Sequence, residues 1–180
     1  MDISGRKPKS RTFFSASDRR RWNGRLEPRQ SLSGAFPGAG ASIWARRAEQ
    51  STALAREFEA EPFSVAAVSD LATAVTEADI ITSATMAREP VLRGAWIKPG
   101  THVDLIGAYK SDMREADDAL ISSGSLYVDS RETTIDHIGE LTIPIASGVI
   151  AADAVMGDLY DLVHGRTSGR RSASPPRGPA

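Results

Sequence analysis

The chain has 180 residues, with 22 Lys and Arg against 23 Asp and Glu, and a formal net charge of −1. That balance excludes a uniformly basic nucleic-acid binder and a strongly acidic protein. Because cysteine is absent, a disulfide scaffold, a thiolate zinc site and a cysteine nucleophile are excluded as well. No apolar run approaches the roughly 18 residues of a membrane span, so we expect a cytoplasmic protein with no membrane partner.

The charge is distributed unevenly along the chain. Residues 1–41 sum to +6, residues 42–165 to −11 and residues 166–180 to +4. The two basic ends are rich in Arg, Ser, Gly and Pro, so burial there cannot offset the entropy lost on ordering. The sequence therefore predicts a low-order basic segment over 1–41, a folded domain over 42–165 and a disordered tail over 166–180.

The middle segment alternates strands and helices. Strands are expected at 42–45, 63–68, 79–84, 102–106 and 125–129, and helices at 47–60, 71–78, 113–123 and about 151–164. Ser69 or Asp70 is a candidate N-cap, and the last helix is expected to bury Val155, Leu159, Leu162 and Val163. Because the strands are near-continuous apolar runs, they favour a parallel sheet covered on both faces, which is the α/β class. Ligands bind such sheets beyond the carboxyl ends of the strands.

Arg46 and Arg47 follow the first of these strands and are candidate cofactor contacts. In a dinucleotide-binding fold, this turn contacts the adenosine ribose: an acidic residue favours NAD, and Arg accommodates the 2′-phosphate of NADP. Ala45 stands where the acid is expected, so the sequence favours NADP over NAD. Two solvated surface arginines are the simpler alternative.

Small or polar residues follow the third and fourth strands of the middle segment. Ala84, Thr85 and Met86 leave one strand, and the hydroxyl of Thr85 can hydrogen-bond a ribose or a phosphate. Ile106, Gly107 and Tyr109 leave the next, and all six are predicted to line the cofactor site. The glycine-rich run GAFPGAG, residues 34–40, is interpreted as a linker, since a strand follows it where a dinucleotide turn needs a helix.

Four carboxylates cluster after the fourth strand, at Asp112, Glu115, Asp117 and Asp118. Adjacent helical residues do not face each other, so we interpret these residues as helix caps and dipole partners rather than as a metal or acid–base site. The histidines His102, His137 and His164 lack metal-ligand spacing, so we predict no metal site.

The run over residues 78–134 resembles the ornithine cyclodeaminase/mu-crystallin family. The most specific pieces are REPVLRGAWIKPGTHV (88–103), GAYKSDMREADD (107–118) and YVDSRE (127–132). The run IWARRAEQSTALAREF (43–58) resembles that family's second Rossmann strand and helix. The resemblance implies a Rossmann NAD(P)-binding domain, homodimers, and a cyclic imino acid or amino acid as substrate.

One position separates the activities of this family. Its cyclodeaminases place an acidic residue two positions after the glycine that ends the strand reading VDLIG, where this chain has Tyr109. The resemblance therefore implies NAD(P)H-dependent reduction of pyrroline-2-carboxylate or piperideine-2-carboxylate to L-proline or L-pipecolate. Ornithine cyclodeamination, from L-ornithine to L-proline and ammonia, is the alternative. A non-catalytic binding module that uses its basic ends as arms is an alternative from another class of function. For the favoured function, the reductase, we expect no nucleic-acid partner.

The resemblance also identifies parts that the sequence does not match. Family members carry an N-terminal domain, a first Rossmann strand and a glycine-rich turn before this region, and residues 1–41 resemble none of them. We therefore expect a partial Rossmann domain that lacks its first strand and glycine-rich turn, and we assign no catalytic residue. Our hypothesis is a truncated chain whose two ends are read out of frame.

Overall fold

The computed structural model describes residues 11–16, 40–60 and 63–169. The strands are β1 (Arg11–Ala16), β2 (Gly40–Trp44), β3 (Ser64–Ala67), β4 (Ile80–Ala84), β5 (His102–Leu105), β6 (Leu126–Val128) and β7 (Val155–Asp158). The α-helices are α1 (Ala48–Arg56), α2 (Leu71–Glu77), α3 (Asp118–Ser123), α4 (Arg131–Thr134), α5 (Gly139–Ala146) and α6 (Leu159–Val163). Within the described ranges, no helix combines the length and the apolar character needed to cross a bilayer.

The elements group into two compact units. As far as the chain is described, the first unit runs up to Ala84 and takes in Thr101–Asp104. The second consists of Thr85–Gly100 and of the described chain from Leu105 onward.

The first unit is built on a five-stranded sheet in the order β3-β2-β1-β4-β5. Strand β1 lies between β2 and β4 and is parallel to both, with Thr12 opposite Ala41 on one side and Ile80 on the other. This is the strand order of the dinucleotide-binding fold. The predicted α/β class and parallel sheet are therefore confirmed.

The expectation that the domain lacks its first strand is wrong. Residues 11–16 supply that strand, inside the segment expected to have low order. The prediction failed because a composition averaged over 41 residues does not resolve a strand of six. Gly40 is also the first residue of β2 rather than part of a linker. The predictions of a missing glycine-rich turn and of a disordered tail beyond Gly169 concern residues outside the described ranges.

Two helices follow their strands as the sequence predicts. Leu54 of α1 packs with Ala41 and Ile43 of β2 in a small core, with Phe58 against its edge. Of the two candidate caps, Asp70 is the one that starts helix α2, because its carboxylate accepts hydrogen bonds from both the amide and the hydroxyl of Thr73. Strand β4 is buried along most of its length, which is typical of an inner strand of a parallel sheet.

The second unit contains a two-stranded parallel sheet of β6 and β7 and four short helices. The strand predicted at 125–129 is present as β6, but it pairs with β7 and not with the five-stranded sheet. The helix predicted at 113–123 begins only at Asp118, because Asp117 is its N-cap and accepts the amide of Leu120 at 2.9 Å.

The prediction of a single helix over about 151–164 is wrong. A single 3-10 turn, strand β7 and the short helix α6 occupy this segment. The carboxylate of Asp158 accepts the amide of Asp161 and starts α6 there, so the chain before it is free to pair with β6. Val155 is buried as expected, but Leu159 is 54% and Val163 is 83% exposed.

Candidate functional site

In the first unit, the carboxyl ends of β1 and β4 lie side by side at the point where the strand order reverses. Ala16, the last residue of β1, pairs with Ala84, the last residue of β4. In doubly wound sheets, the crevice outside the strand ends at this point is the place where nucleotides bind. Ala84, the last residue of β4, and Ala45, which directly follows β2, are small and buried, so neither projects a bulky side chain beyond these strand ends.

Arg46 and Arg47 lie at the carboxyl end of β2 and are both exposed. Arg47 is the N-cap residue of α1, but its side chain makes no capping hydrogen bond and lies 3.9 Å from the carboxylate of Glu49. Arg46 makes no ion pair within the part of the chain that the structure describes. Two cations at a helix N-terminus oppose the helix dipole, so helix stability does not explain them.

In the second unit, Thr85 is tied to a carboxylate far along the chain. Its amide and its hydroxyl both donate to Oε1 of Glu115, at 2.5 and 2.6 Å. Thr85 is 3% exposed and Glu115 is fully buried. The hydroxyl that the sequence assigns to a ribose or a phosphate is therefore already donated inside the protein.

Gly107 binds the other oxygen of the same carboxylate. Its amide donates to Oε2 of Glu115 at 2.6 Å, so one side chain joins the residues that follow β4 and β5. A Cβ at Gly107 would fall on the backbone nitrogen and oxygen of Thr85 and 2.7 Å from the carboxyl carbon of Glu115. Only glycine allows these two backbone segments to come this close.

Glu140 holds the backbone of Glu115 in turn. Its Oε2 accepts the amide of Glu115 at 2.6 Å, and its Oε1 accepts the amide of Ala116 at 2.9 Å. The carbonyl of Glu115 accepts the amides of Val91 and Leu92, both at 2.9 Å. The backbone and the side chain of Glu115 are thus fixed from three directions.

Burial raises the pKa of Glu140 from its ordinary value of 4.5 to about 7. The carboxylate of Glu115 raises this pKa further, whereas the two amides that Glu140 accepts and the charge of Arg114 lower it. Desolvation outweighs the hydrogen bonds because a charged group in a low-dielectric interior loses most of its hydration.

Three exposed side chains adjoin these fixed residues along the chain. Met86 follows Thr85, Ile106 precedes Gly107, and Tyr109 lies two positions further on. The ammonium of Lys110 lies 5.5 Å from the ring centre of Tyr109. Each of these side chains is exposed, while the neighbouring backbone is held from inside, and their role as cofactor contacts stays a prediction.

The four carboxylates of the cluster have different roles. Asp117 is a helix cap as predicted, and it also accepts the amide of Gly94 at 2.9 Å. Asp112 pairs with Arg88 at the surface, and Asp118, in the first turn of α3, pairs with Arg114. The interpretation of Glu115 as a cap is wrong, because it lies before the helix begins and its side chain is buried against Thr85 and Gly107.

Sequence reasoning missed both Glu115 and Glu140. For Glu140 a signal existed, since it is the only charged residue of the apolar helix GELTIPIA and a lone carboxylate there indicates a buried acceptor. For Glu115 there was none, since its partner Thr85 is 30 residues away. In the described ranges, no three His, Asp or Glu side chains are grouped to hold a metal ion.

Comparison with known proteins adds to this geometry. Residues 34–175 match the model of the ornithine cyclodeaminase/mu-crystallin family. A Delta(1)-pyrroline-2-carboxylate reductase of Paracoccus denitrificans is 61% identical over 133 residues, which cover 74% of this chain and 42% of that protein. The ketimine reductase mu-crystallin of Rattus norvegicus is 40% identical over 123 residues, which cover 68% of this chain and 36% of that protein. This chain thus spans less than half the length of these relatives.

Solved structures show the same fold. Delta(1)-pyrroline-2-carboxylate reductase of Thermococcus litoralis, in complex with NADH and L-proline, matches with a TM-score of 0.81 and 26% identity over 94% of this chain and 52% of that chain. The iminosuccinate reductase of Paracoccus denitrificans, in complex with NAD+, matches with a TM-score of 0.78 and 24% identity over 94% of this chain and 50% of that chain. At that lower identity, the likeness shows the fold alone.

Proposed function

This chain belongs to the ornithine cyclodeaminase/mu-crystallin family, and from that membership we propose that it binds a nicotinamide dinucleotide for the reduction of a cyclic imine. The substrates that we propose are pyrroline-2-carboxylate and piperideine-2-carboxylate, with L-proline and L-pipecolate as products. The observation that carries the proposal is the 61% identity to a Delta(1)-pyrroline-2-carboxylate reductase. The family resemblance inferred from the sequence is thereby confirmed, while the activity stays a proposal for a chain that spans 42% of that reductase.

The strand ends of the first unit fit a dinucleotide. The strand order reverses between β1 and β4, and small side chains stand at Ala84, which ends β4, and at Ala45, which directly follows β2. We propose that the backbone at Ala84 approaches the cofactor there and that Arg46 and Arg47 bind the 2′-phosphate of NADP. The solved relatives contain NADH or NAD+, so the preference for NADP rests on these arginines and on Ala45.

In the second unit, five residues are proposed as cofactor contacts: Thr85, Met86, Ile106, Gly107 and Tyr109. Since the amides of Thr85 and Gly107 already donate to Glu115, these two residues would contact the cofactor only through the rest of their backbone. Met86 and Ile106 offer exposed apolar surface of the kind that packs against an aromatic ring.

A bound nicotinamide supplies a hydride to the carbon of the C=N bond, and a proton at the nitrogen completes the cyclic amino acid. The contribution of this chain is to bind the cofactor and fix its orientation. No described residue is assigned as the proton donor. The homodimer that the resemblance implies stays a proposal, and the basic arms of the alternative binding module lie mostly outside the described residues.

Tyr109 supports imine reduction over ornithine cyclodeamination. It stands two residues after Gly107, where the resemblance places an acidic residue in the cyclodeaminases, and it is exposed. A phenol hydroxyl does not offer the two acceptor oxygens of a carboxylate, so it does not take the place of a carboxylate base.

The test is a titration of the purified chain with NADPH and NADH, followed by cofactor fluorescence. We expect saturable binding of both, tighter for NADPH. Oxidation of NADPH in the presence of pyrroline-2-carboxylate, compared with ornithine and NADP+, then identifies the reaction. Absence of saturable binding for either cofactor contradicts the proposal.

A further inference from the structure

We propose that Glu115 is a positioning residue, which fixes the backbones of Thr85 and Gly107 so that their neighbours present a fixed surface to the cofactor. This inference rests on the nicotinamide site proposed above. It assigns a role to a buried carboxylate that the proposed chemistry does not use. Glu140 supports that role by holding the backbone of Glu115.

The first argument is the number of donors that one side chain accepts. Oε1 of Glu115 accepts two hydrogen bonds from Thr85, and Oε2 accepts one from Gly107, all between 2.5 and 2.6 Å. A carboxylate suits this arrangement because both oxygens are acceptors and neither is a donor. Hydrogen bonds to a charged acceptor are about twice as strong as neutral ones.

The second argument is that no isosteric side chain reproduces the arrangement. Glutamine has one acceptor oxygen and one NH2 donor, so either Thr85 or Gly107 would face a donor with its own N–H. Aspartate is one methylene shorter, and Gly107 has little room to shift toward it, because even a Cβ at this position would overlap the Thr85 backbone. The geometry therefore requires glutamate at this position.

The third argument is the position of the two anchored residues. Thr85 directly follows β4 and is followed by the exposed Met86, while Gly107 is preceded by the exposed Ile106. Fixing the buried member of each pair restricts the exposed member beside it. Preorganisation of this kind lowers the entropy lost when a ligand binds.

Glu140 restrains the backbone of Glu115, from which the side chain of Glu115 reaches Thr85 and Gly107. It accepts the amides of Glu115 and Ala116, and the carbonyl of Glu115 accepts the amides of Val91 and Leu92. The charged groups that act on Glu140 are Glu115 and Arg114. The side chain of Glu115 thus extends from a backbone that has little freedom to shift.

The test compares wild type, Glu115→Gln and the control Asp112→Asn, a matched loss of a surface carboxylate in the same segment. Two quantities are measured: amide hydrogen exchange at Thr85 and Gly107, and the Kd for NADH and NADPH well below the unfolding temperature. We expect Glu115→Gln to lose protection at one or both amides and to raise both Kd values about tenfold. Asp112→Asn should leave both quantities at the wild-type level.

Thr85→Val serves as a second variant if Glu115→Gln does not fold. It removes the hydroxyl donor, keeps the amide, and should weaken cofactor binding about threefold. A merely structural role would alter stability without changing Kd far below the unfolding temperature. If Glu115→Gln loses amide protection but keeps the wild-type Kd values, or if the folded Thr85→Val variant keeps them, only the inference is overturned. If the wild type binds neither cofactor, the proposed function is overturned.

Discussion

The carboxylate of Glu140, in the first turn of α5, accepts the backbone amide of Glu115 at 2.6 Å. Both side chains are buried, so one glutamate fixes the backbone from which the other reaches Thr85 and Gly107. Burying two acids in one network has an energetic cost, because the charge of Glu115 opposes the ionisation of Glu140. Because of that cost, the free energy of unfolding should depend on pH.

The first prediction concerns the stability of the protein as a function of pH. Burial raises the pKa of Glu140 from 4.5 to about 7, so between these values the folded state holds a proton that the unfolded state has lost. The free energy of unfolding therefore falls as pH rises through this window, by up to about 3 kcal/mol, and levels off above it. Urea unfolding at pH 5 and pH 8 measures the difference.

Glu140→Gln should flatten that dependence, since an amide does not titrate. Glu132→Gln is the control, because Glu132 is an exposed carboxylate in the first turn of α4 and its loss should leave the slope intact. An identical slope in wild type and Glu140→Gln would show that Glu140 does not titrate as its burial indicates.

Gly107→Ala tests the close approach of Gly107 and Thr85. A methyl group at Gly107 would overlap the backbone of Thr85, which cannot move without breaking its bonds to Glu115. We expect the free energy of unfolding to fall by about 3 kcal/mol. Gly124→Ala is the matched control, since a Cβ there meets only the Leu120 carbonyl oxygen, at 3.7 Å. Equal denaturation midpoints for the two variants would contradict the packing described.

Asp117→Ala tests the carboxylate that joins α3 to the 3-10 turn Gly94–Trp96. Oδ1 of Asp117 accepts the amide of Leu120 in α3 and the amide of Gly94. Loss of a cap costs about 1 kcal/mol, and the second unsatisfied amide should bring the total to about 2 kcal/mol. Asp70→Ala, which removes the cap of α2 alone, is the comparison, and thermal unfolding should show the larger loss for Asp117→Ala.

The sequence pattern was sufficient to predict the strands and helices that short-range interactions determine. Strand β2, helix α1 and the cap at Asp70 were predictable, because apolar spacing and a capping side chain act over a few residues. Strand β1 was missed because its six residues sit within a polar, basic segment. Strand β7 was missed because a capping aspartate starts α6 about eight residues later than apolar spacing alone suggests.

The residues of the candidate site also differ in whether short-range or long-range contacts place them. Arg46, Ala84 and Gly107 could be placed at or just after strand ends from the sequence, and strand ends are where α/β sheets bind ligands, but their contact with a cofactor stays a prediction. Glu115 was not, because its partners lie 30 and 8 residues away and only the folded chain brings them together. The same contact gives the Thr85 hydroxyl a role that its position in the sequence did not indicate.

Arg46→Ala with Arg47→Ala tests how the first unit discriminates between cofactors. Both side chains are exposed at the end of β2, and a guanidinium there binds the 2′-phosphate of NADP while NAD has only a hydroxyl. Charge-assisted hydrogen bonds to phosphate are strong, so we expect the Kd for NADPH to rise about tenfold and the Kd for NADH to change less than about twofold. Arg56→Ala is the control, since Arg56 is exposed at the far end of α1, and it should affect neither Kd. If NADPH and NADH weaken alike in the double variant, the two arginines do not recognise the 2′-phosphate, and the preference for NADP loses its physical basis.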